Sequence, residues 1–270
     1  MQKIVRSIAI TGAGGRMGRA IAASIAADPA VQLGAALARP GSPLLGLDAA
    51  VLGGIDETGC VISQDVAGGV AGSDCLIDFS TPDLCIDVLQ ACVDARCPMV
   101  IGTTGFSAAQ LAEIDRASAQ LPIVLAPNMS VGVNLAFKLI ALAARALGDD
   151  ADIEIIEAHH RGKRDAPSGT AVRMGEIVAS ETQRELEQVA LYGRQGLGEP
   201  RDAQTIGFAT VRAGDIVGEH TVMFASPGER LEVTHRASSR SNFAVGAVRA
   251  AKWLLEQPPG RYDMGDVLGL

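Results

Sequence analysis

The chain has 270 residues, 48% hydrophobic and 20% charged, which is an ordinary globular balance with enough length for one large domain or two smaller ones. With 23 Lys and Arg against 31 Asp and Glu the formal charge is −8, and aromatic residues make up 3%. Such a surface repels polyanions and offers little for base stacking, so general nucleic-acid binding is excluded while a small local anion site is not.

The chain opens with Met-Gln-Lys-Ile-Val-Arg and runs straight into a strand pattern, without the apolar core and cleavage site of a signal peptide; the expectation is a cytoplasmic protein. The longest apolar stretch, 135–147, is broken by Lys138 and Arg145 and falls short of the roughly 20 residues that a membrane span needs. Cys60, Cys75, Cys85, Cys92 and Cys97 form an odd set with no Cys-x-x-Cys, and read as small core hydrophobes rather than disulfide or zinc ligands.

In chain order, strand-length apolar runs alternate with helical patterns at 4–10, 16–27, 31–37, 75–79, 82–95, 99–102, 108–119 and 123–126. That alternation predicts an α/β, Rossmann-like parallel sheet domain with crossover helices on both faces. A Gly/Pro-rich stretch at 38–59 reads as a long loop. After 130 the pattern changes to a helix at 133–147, a strand at 152–158, a basic loop, a helix from about 169, and strands near 206–212, 216–224 and 230–235. Arg212-Ala213-Gly214-Asp215 has hairpin-turn chemistry, so this half is expected to be an α+β domain with a mixed or antiparallel sheet. A last helix at 242–256 closes on Pro258-Pro259-Gly260. The expected domains are 1–130, completed by 241–270, and 131–240.

The stretch Ile8 to Arg19 is a buried strand, a glycine turn and an amphipathic helix. Its Gly12, Ala13, Gly14, Gly15, Arg16 and Met17 are the candidate pyrophosphate loop. Glycines let the backbone approach the phosphates, and the helix start supplies N–H groups and a positive dipole end. The spacing fits Gly-x-x-Gly-x-x-Gly (Gly12, Gly15, Gly18), which a ligand-free tight turn would also satisfy; the strand-to-helix setting favours a dinucleotide. At the end of the second strand Ala38 has no oxygen for a ribose 2′-hydroxyl, whereas Arg39 has a guanidinium for a 2′-phosphate, so NADPH is the expected cofactor, with NADH possible. A solvated arginine is the alternative. Gly102, Thr103 and Thr104, and then Ala126, Pro127, Asn128 and Met129, fall at later strand ends on the carboxyl edge where such cofactors rest; plain turn chemistry would explain either segment alone.

The second informative stretch is Glu157-Ala158-His159-His160-Arg161-Gly162-Lys163-Arg164-Asp165-Ala166-Pro167-Ser168-Gly169-Thr170. Cations and two of the four histidines gather at a strand end in an otherwise acidic chain, followed by the Ser-Gly-Thr start of a helix, a combination suited to a small carboxylate ligand. Neighbouring residues on a regular strand face opposite ways, so only one of His159 and His160 would line a cleft there. A solvated charge loop is the competing reading. No metal site is expected, because His159, His160, His220 and His235 lack helical His-x-x-x-His spacing and nearby thiols.

Together, residues 12–18 (GAGGRMG), 101–106 (IGTTGF), 128–134 (NMSVGVN), 157–170 and 207–220 (GFATVRAGDIVGEH) resemble, in order and over nearly the whole chain, the dihydrodipicolinate reductase family of lysine and diaminopimelate biosynthesis. The resemblance implies an NAD(P)H-dependent reductase of a cyclic dicarboxylate, and a homotetramer assembled through the sheet of the second domain. Carried over by residue, it implies His159 as catalytic acid, Lys163 as a second proton donor and carboxylate partner, His160 as a substrate ligand, and Gly169 and Thr170 as the dicarboxylate cradle. It also places the pyrophosphate at residues 12–17, the 2′-phosphate at Arg39, and the nicotinamide side at 102–104 and 126–129. Ala38 departs from the family pattern, in which many relatives carry an acid. Other classes fit less well: a DNA-binding redox sensor needs a basic reading helix, and an acyl-forming semialdehyde dehydrogenase needs an activated thiol in its cleft. A silent member of the same fold would not need His159, His160 and Lys163.

Overall fold

The computed structural model describes residues 5–148 and 150–270, so the reading of the first four residues lies outside it. The chain divides into two compact units, 1–131 with 240–270 and 132–239.

In the first unit the order is β1 (Arg6–Thr11), α1 (Arg16–Ala26), β2 (Val31–Leu37), α2 (Ala49–Leu52), β3 (Ile62–Ser63), α3 (Val66–Ala71), β4 (Cys75–Asp78), α4 (Pro82–Ala95), β5 (Met99–Ile101), α5 (Ala108–Ser118) and β6 (Pro122–Leu125). Strand alternation splits the core in two: Ile8, Ile10, Ile77, Val100 and Val124 enter one apolar cluster, and Ala9, Leu76, Met99, Ile101 and Ile123 enter another. Both faces of the sheet are therefore covered, which is why these strands read as continuous apolar runs. On α1 the buried positions Gly18, Ile21, Ala22 and Ile25 form one face at helical spacing. Cys75, Cys85, Cys92 and Cys97 are buried free thiols within this packing.

The stretch at 38–59 is less loop-like than its composition predicts. Buried Asp48 accepts the N–H groups of Ala50, Val51, Thr58 and Gly59, so one carboxylate both caps the short α2 and closes the turn behind it.

The second unit contains nearly all of α6 (Val131–Leu147), then β7 (Asp152–His159), α7 (Gly169–Glu181), α8 (Leu186–Val189), β8 (Ala190–Tyr192), β9 (Ile206–Arg212), β10 (Gly218–Ser226) and β11 (Glu229–Ala237). Its mixed sheet runs β11-β10-β7-β9-β8. Ile153, Ile155, Phe208, Val222 and Phe224 pack on one face against Ile140, Ala143, Met174 and Val178 of α6 and α7.

The hairpin expected at residues 212–215 is not there, because β9 lies parallel to β7 on one side and β10 antiparallel to it on the other. The connecting turn passes over the carboxyl end of β7, tied down by Ala213 N–H to the His159 carbonyl (2.9 Å) and Arg161 N–H to the Gly214 carbonyl (3.2 Å). The true hairpin joins β10 to β11 at Ser226-Pro227-Gly228-Glu229: Ser226 pairs with Glu229, and Gly228 takes the positive φ (+90°) that the two-residue turn demands.

The chain then returns to the first unit as α9 (Ser241–Leu254), β12 (Gly260–Tyr262) and α10 (Met264–Leu268). There β12 pairs in parallel with β6, completing a seven-stranded sheet of order β12-β6-β5-β4-β1-β2-β3.

Candidate active site in two half-sites

The first unit builds its half-site chiefly from backbone. At the carboxyl end of β1 the order of strands reverses, with β2 on one side and β4 on the other, and the glycine loop crosses that point. Gly12 adopts φ +66°, and a Cβ on it would stand 2.3 Å from the Phe79 carbonyl oxygen. A Cβ on Gly18 would stand 2.3 Å from the Gly12 carbonyl oxygen and 2.7 Å from the Ala13 Cα. Each glycine is thus required by a close backbone approach. Gly15 opens α1 in extended conformation with no side-chain cap.

The predicted residues of this half-site do gather. Ala13 N–H donates to the Leu37 carbonyl (3.2 Å), so exposed Arg39 leaves the sheet two residues beyond a strand end fastened to the glycine loop. Arg16 is exposed, and Met17 packs against the core. Gly102 donates its N–H to the Asp78 carbonyl (2.9 Å), and a Cβ on it would meet the Phe79 ring at 2.2 Å. Thr103 is buried and Thr104 exposed. Ala126 N–H reaches the Ile101 carbonyl (3.1 Å), and Asn128 accepts the Ser130 N–H (2.9 Å). Pro127 is exposed, whereas Met129 is buried under α9, where Gly246 allows the backbone contact.

Asp78 was not anticipated from the sequence. Fully buried, its carboxylate accepts the hydroxyls of Thr11, Ser80 (2.6 Å) and Thr103 (2.5 Å), locking the ends of β1, β4 and β5 together.

The second unit builds its half-site from side chains. Along the helix-covered face of β7 the inward row reads Ile153, Ile155, Glu157, His159, so apolar packing gives way to polar groups at the carboxyl end. Register places Arg212 beside His159, and His220 beside Glu157. Glu157 Oε2 lies 2.5 Å from His159 Nδ1, and the Arg212 guanidinium grips the same carboxylate with both Nη atoms at 2.9 and 2.8 Å. Ser168, the cap of α7, donates its N–H to Glu157 Oε1 (3.1 Å), and its hydroxyl contacts His220 Nε2 at 2.8 Å. The rings of His159 and His220 meet edge to face at 5.0 Å.

Electrostatics follow from this packing. Burial pushes the Glu157 carboxyl up, but Arg212 and His159 together hold it below the usual carboxylate range. Burial lowers His159 and outweighs the opposing pull of Glu157, with Lys163 and Arg212 adding repulsion. Burial, helped by the neighbouring His159, lowers His220 to about 4.

His160 lies just past the strand, half-buried, so the chain leaves the strand between the two histidines. Lys163 follows in a turn closed by its N–H to the His160 carbonyl (3.1 Å), and its ammonium pairs with exposed Asp165 at 2.8 Å. The peptide Ala166-Pro167 is cis. Gly169 begins α7 exposed, and a Cβ there would meet nothing within 4 Å; Thr170 follows, half-buried. The five residues predicted for substrate work thus share one end of one sheet, and those predicted for the cofactor share the carboxyl edge of the other.

Two family models divide the chain between them: the N-terminal part of dihydrodipicolinate reductase over residues 6–129 and its C-terminal part over 132–268. The chain belongs to the dihydrodipicolinate reductase family. Proteins named 4-hydroxy-tetrahydrodipicolinate reductase from Alkalilimnicola ehrlichii and Methylococcus capsulatus are 56% identical over 263 residues and 57% identical over 261 residues. The matches span 97% of this chain in both, and 98% and 97% of the relatives. A dipicolinate-bound dihydrodipicolinate reductase from Paenisporosarcina sp. TG-14 shares the fold, with a TM-score of 0.78 at 23% identity, covering 96% of this chain and 98% of that one. As a family member the chain is an oxidoreductase that works with a pyridine nucleotide and reduces 4-hydroxy-tetrahydrodipicolinate in the diaminopimelate route to lysine.

Against that family reading, four residues of the second half-site went unassigned from sequence: Glu157, Ser168, Arg212 and His220. Glu157 had a visible signal, since positions two apart on a strand share a face and it precedes His159 by two. Arg212 and His220 arrive from strands 50 and more residues away, and only register brings them in.

Proposed function

We propose that this dihydrodipicolinate reductase reduces the 4-hydroxy-tetrahydrodipicolinate ring with NADPH preferred and NADH possible, His159 serving as proton donor. A bound reduced nicotinamide supplies a hydride. Gly12 to Met17 hold the pyrophosphate through backbone N–H groups, and Arg39 takes the 2′-phosphate, with Ala38 leaving no acid to receive a 2′-hydroxyl. Gly102 to Thr104 and Ala126 to Met129 border the nicotinamide.

In the second unit, His160, Lys163 and the start of α7 at Gly169 and Thr170 receive the two carboxylates, each an anion among cations and helix N–H groups. The 4-hydroxyl leaves as water and so conjugates the ring; a hydride added to that ring would leave electron density that must receive a proton. His159 delivers it, and Lys163 is the second donor, released from Asp165 when a substrate carboxylate takes its place. Two bound carboxylates favour the protonated form of His159, countering the burial that lowers it in the free protein.

The observation that carries this reading is the buried pair of His159 and Glu157 at the end of β7, a titratable acid held in one orientation at the mouth of a cationic loop. We further propose a cytoplasmic homotetramer assembled through the open face of the mixed sheet; exposed Ile156 and Val211 on that face support it.

The test follows reduced-nucleotide absorbance while the cyclic product of pyruvate and aspartate semialdehyde condensation is generated in the same cuvette. Oxidation that depends on this substrate and runs faster with NADPH than with NADH is expected. No substrate-dependent oxidation with either nucleotide overturns the assignment; equal rates overturn the preference alone.

A further inference from the structure

Within the substrate half-site one buried carboxylate holds partners on β7, on β9 and at the cap of α7, and has no lone pair left for substrate. Glu157 is 1% exposed, and its two oxygens accept four hydrogen bonds. Oε2 takes His159 Nδ1 and one Arg212 nitrogen; Oε1 takes the second Arg212 nitrogen and the Ser168 N–H. We propose that Glu157 is the positioning residue of the reaction: it fixes the proton on His159 Nδ1, so that Nε2 is the nitrogen that gains and gives the transferable proton, and it anchors the cap of the helix that receives the carboxylates. This rests on the reading of His159 as the acid.

The chemistry of the contacts supports it. A carboxylate saturated by a bidentate guanidinium accepts the Nδ1 proton and has little basicity left to remove it, so the imidazole is oriented without being turned into a carboxylic acid pair. The opposite nitrogen is kept clear by a glycine: a Cβ on Gly218 would stand 3.0 Å from His159 Nε2. Because Oε1 also holds Ser168, the position of the imidazole and the start of α7 are set by one group.

The groups facing His159 are Glu157 on its own strand, Lys163 in the loop, Arg212 on β9 and His220 on β10, with His235 of β11 opposite His220 in register. Glu157 favours the imidazolium and Arg212 opposes it. Removing one or the other therefore has opposite consequences, which loss of packing alone would not produce.

The experiment compares E157Q and R212L with wild type in pH profiles of kcat at saturating nucleotide, with H159Q as the reference for loss of the acid. An acid must be protonated to work, so kcat falls on the alkaline side as His159 loses its proton. In E157Q the imidazolium loses its anion, and that fall moves to lower pH by about one unit; in R212L it moves to higher pH. In E157Q kcat drops roughly 100-fold, comparably to H159Q, while KM for the nucleotide is unchanged. Nitrogen NMR of His159 supplies an arm free of activity: the neutral ring carries its proton on Nδ1 in wild type and populates both tautomers in E157Q. If R212L does not fold, this arm and the E157Q profile decide the matter. An unmoved alkaline limb together with an unchanged tautomer in E157Q overturns the proposal, as do shifts of the same sign in both variants. Wild-type kcat in H159Q overturns both this proposal and the assignment of the acid; a slow H159Q beside a normal E157Q overturns the positioning role alone.

Discussion

The two half-sites solve their problems with different materials. In the first unit the proposed ligand surface is peptide backbone: glycines at 12, 15 and 18, an uncapped helix start, and strand ends locked together by Asp78. In the second the proposed surface is chiefly side chains, His159, His160 and Lys163 beside the start of α7, with His159, Arg212 and Ser168 gathered on one buried carboxylate. A backbone site tolerates almost any side chain that points away but no Cβ that points in. A side-chain site tolerates backbone adjustment but depends on the identity of a few polar atoms. Substitutions should therefore fail differently in the two places.

The sharpest break is expected at the glycines. Gly18→Ala drives a Cβ against the Gly12 carbonyl and the Ala13 Cα, neither of which can yield without moving the loop. Nucleotide affinity measured by calorimetry should fall by more than about 100-fold, while substrate-analogue binding survives. An affinity within a few-fold of wild type would show that the loop is not the cofactor seat.

Lys163→Ala is next. Its ammonium pairs only with an exposed aspartate, so folding should be nearly untouched, whereas kcat should fall about 100-fold and substrate KM rise. Nucleotide affinity should stay the same. A normal turnover number would remove Lys163 from the proton-donating set.

A third expectation concerns acid stability of the side-chain site. His220 has its folded value depressed to about 4, from an ordinary value of 6.5, chiefly by burial. Between those limits the unfolded chain binds a proton that the native protein does not, so stability falls as pH drops from about 6.5 to about 4 and this contribution levels off below. The full contribution is on the order of 3 kcal/mol. Denaturant melts of His220→Gln across this window should show a correspondingly shallower loss; an identical slope would mean that the imidazole is not desolvated as its surroundings imply.

The smallest effect belongs to Arg39, the side chain proposed for the 2′-phosphate. Arg39→Ala should raise KM for NADPH about tenfold, the loss of one charge-assisted contact, and leave NADH use unchanged. Equal losses with both nucleotides would sink the 2′-phosphate assignment.

How much of this was legible in the sequence follows the same division. The β1-α1-β2 segment can be read almost residue by residue, because its glycines and apolar periodicity are local consequences of local geometry. The pieces that escape notice, α2, β3, α3, α8, β8, β12 and α10, are two to six residues long and exist because a neighbouring strand or helix is already in place. The turn at residues 212–215 misleads for a related reason: its composition suits a reversal, but composition does not say that another strand lies in between, and the Pro227-Gly228 pair carries the true hairpin. In the substrate half-site, His159, His160 and Lys163 stand out through their crowding in an acidic chain. Arg212 and His220 carry no such mark, since their meaning comes from register with β7.

The late return of the chain has a bearing on synthesis. The layer formed by α9 and the edge strand β12 belong to the nucleotide unit, yet both are encoded after residue 240. As the polypeptide leaves the ribosome, the sheet that holds the glycine loop waits uncapped along β6 and bare over Val100 and Val124 while the inserted unit is being made. A nascent chain stalled near residue 240 should therefore own a folded substrate half and a sticky, unfinished coenzyme half, so that α9 and β12 complete the unit that began folding first.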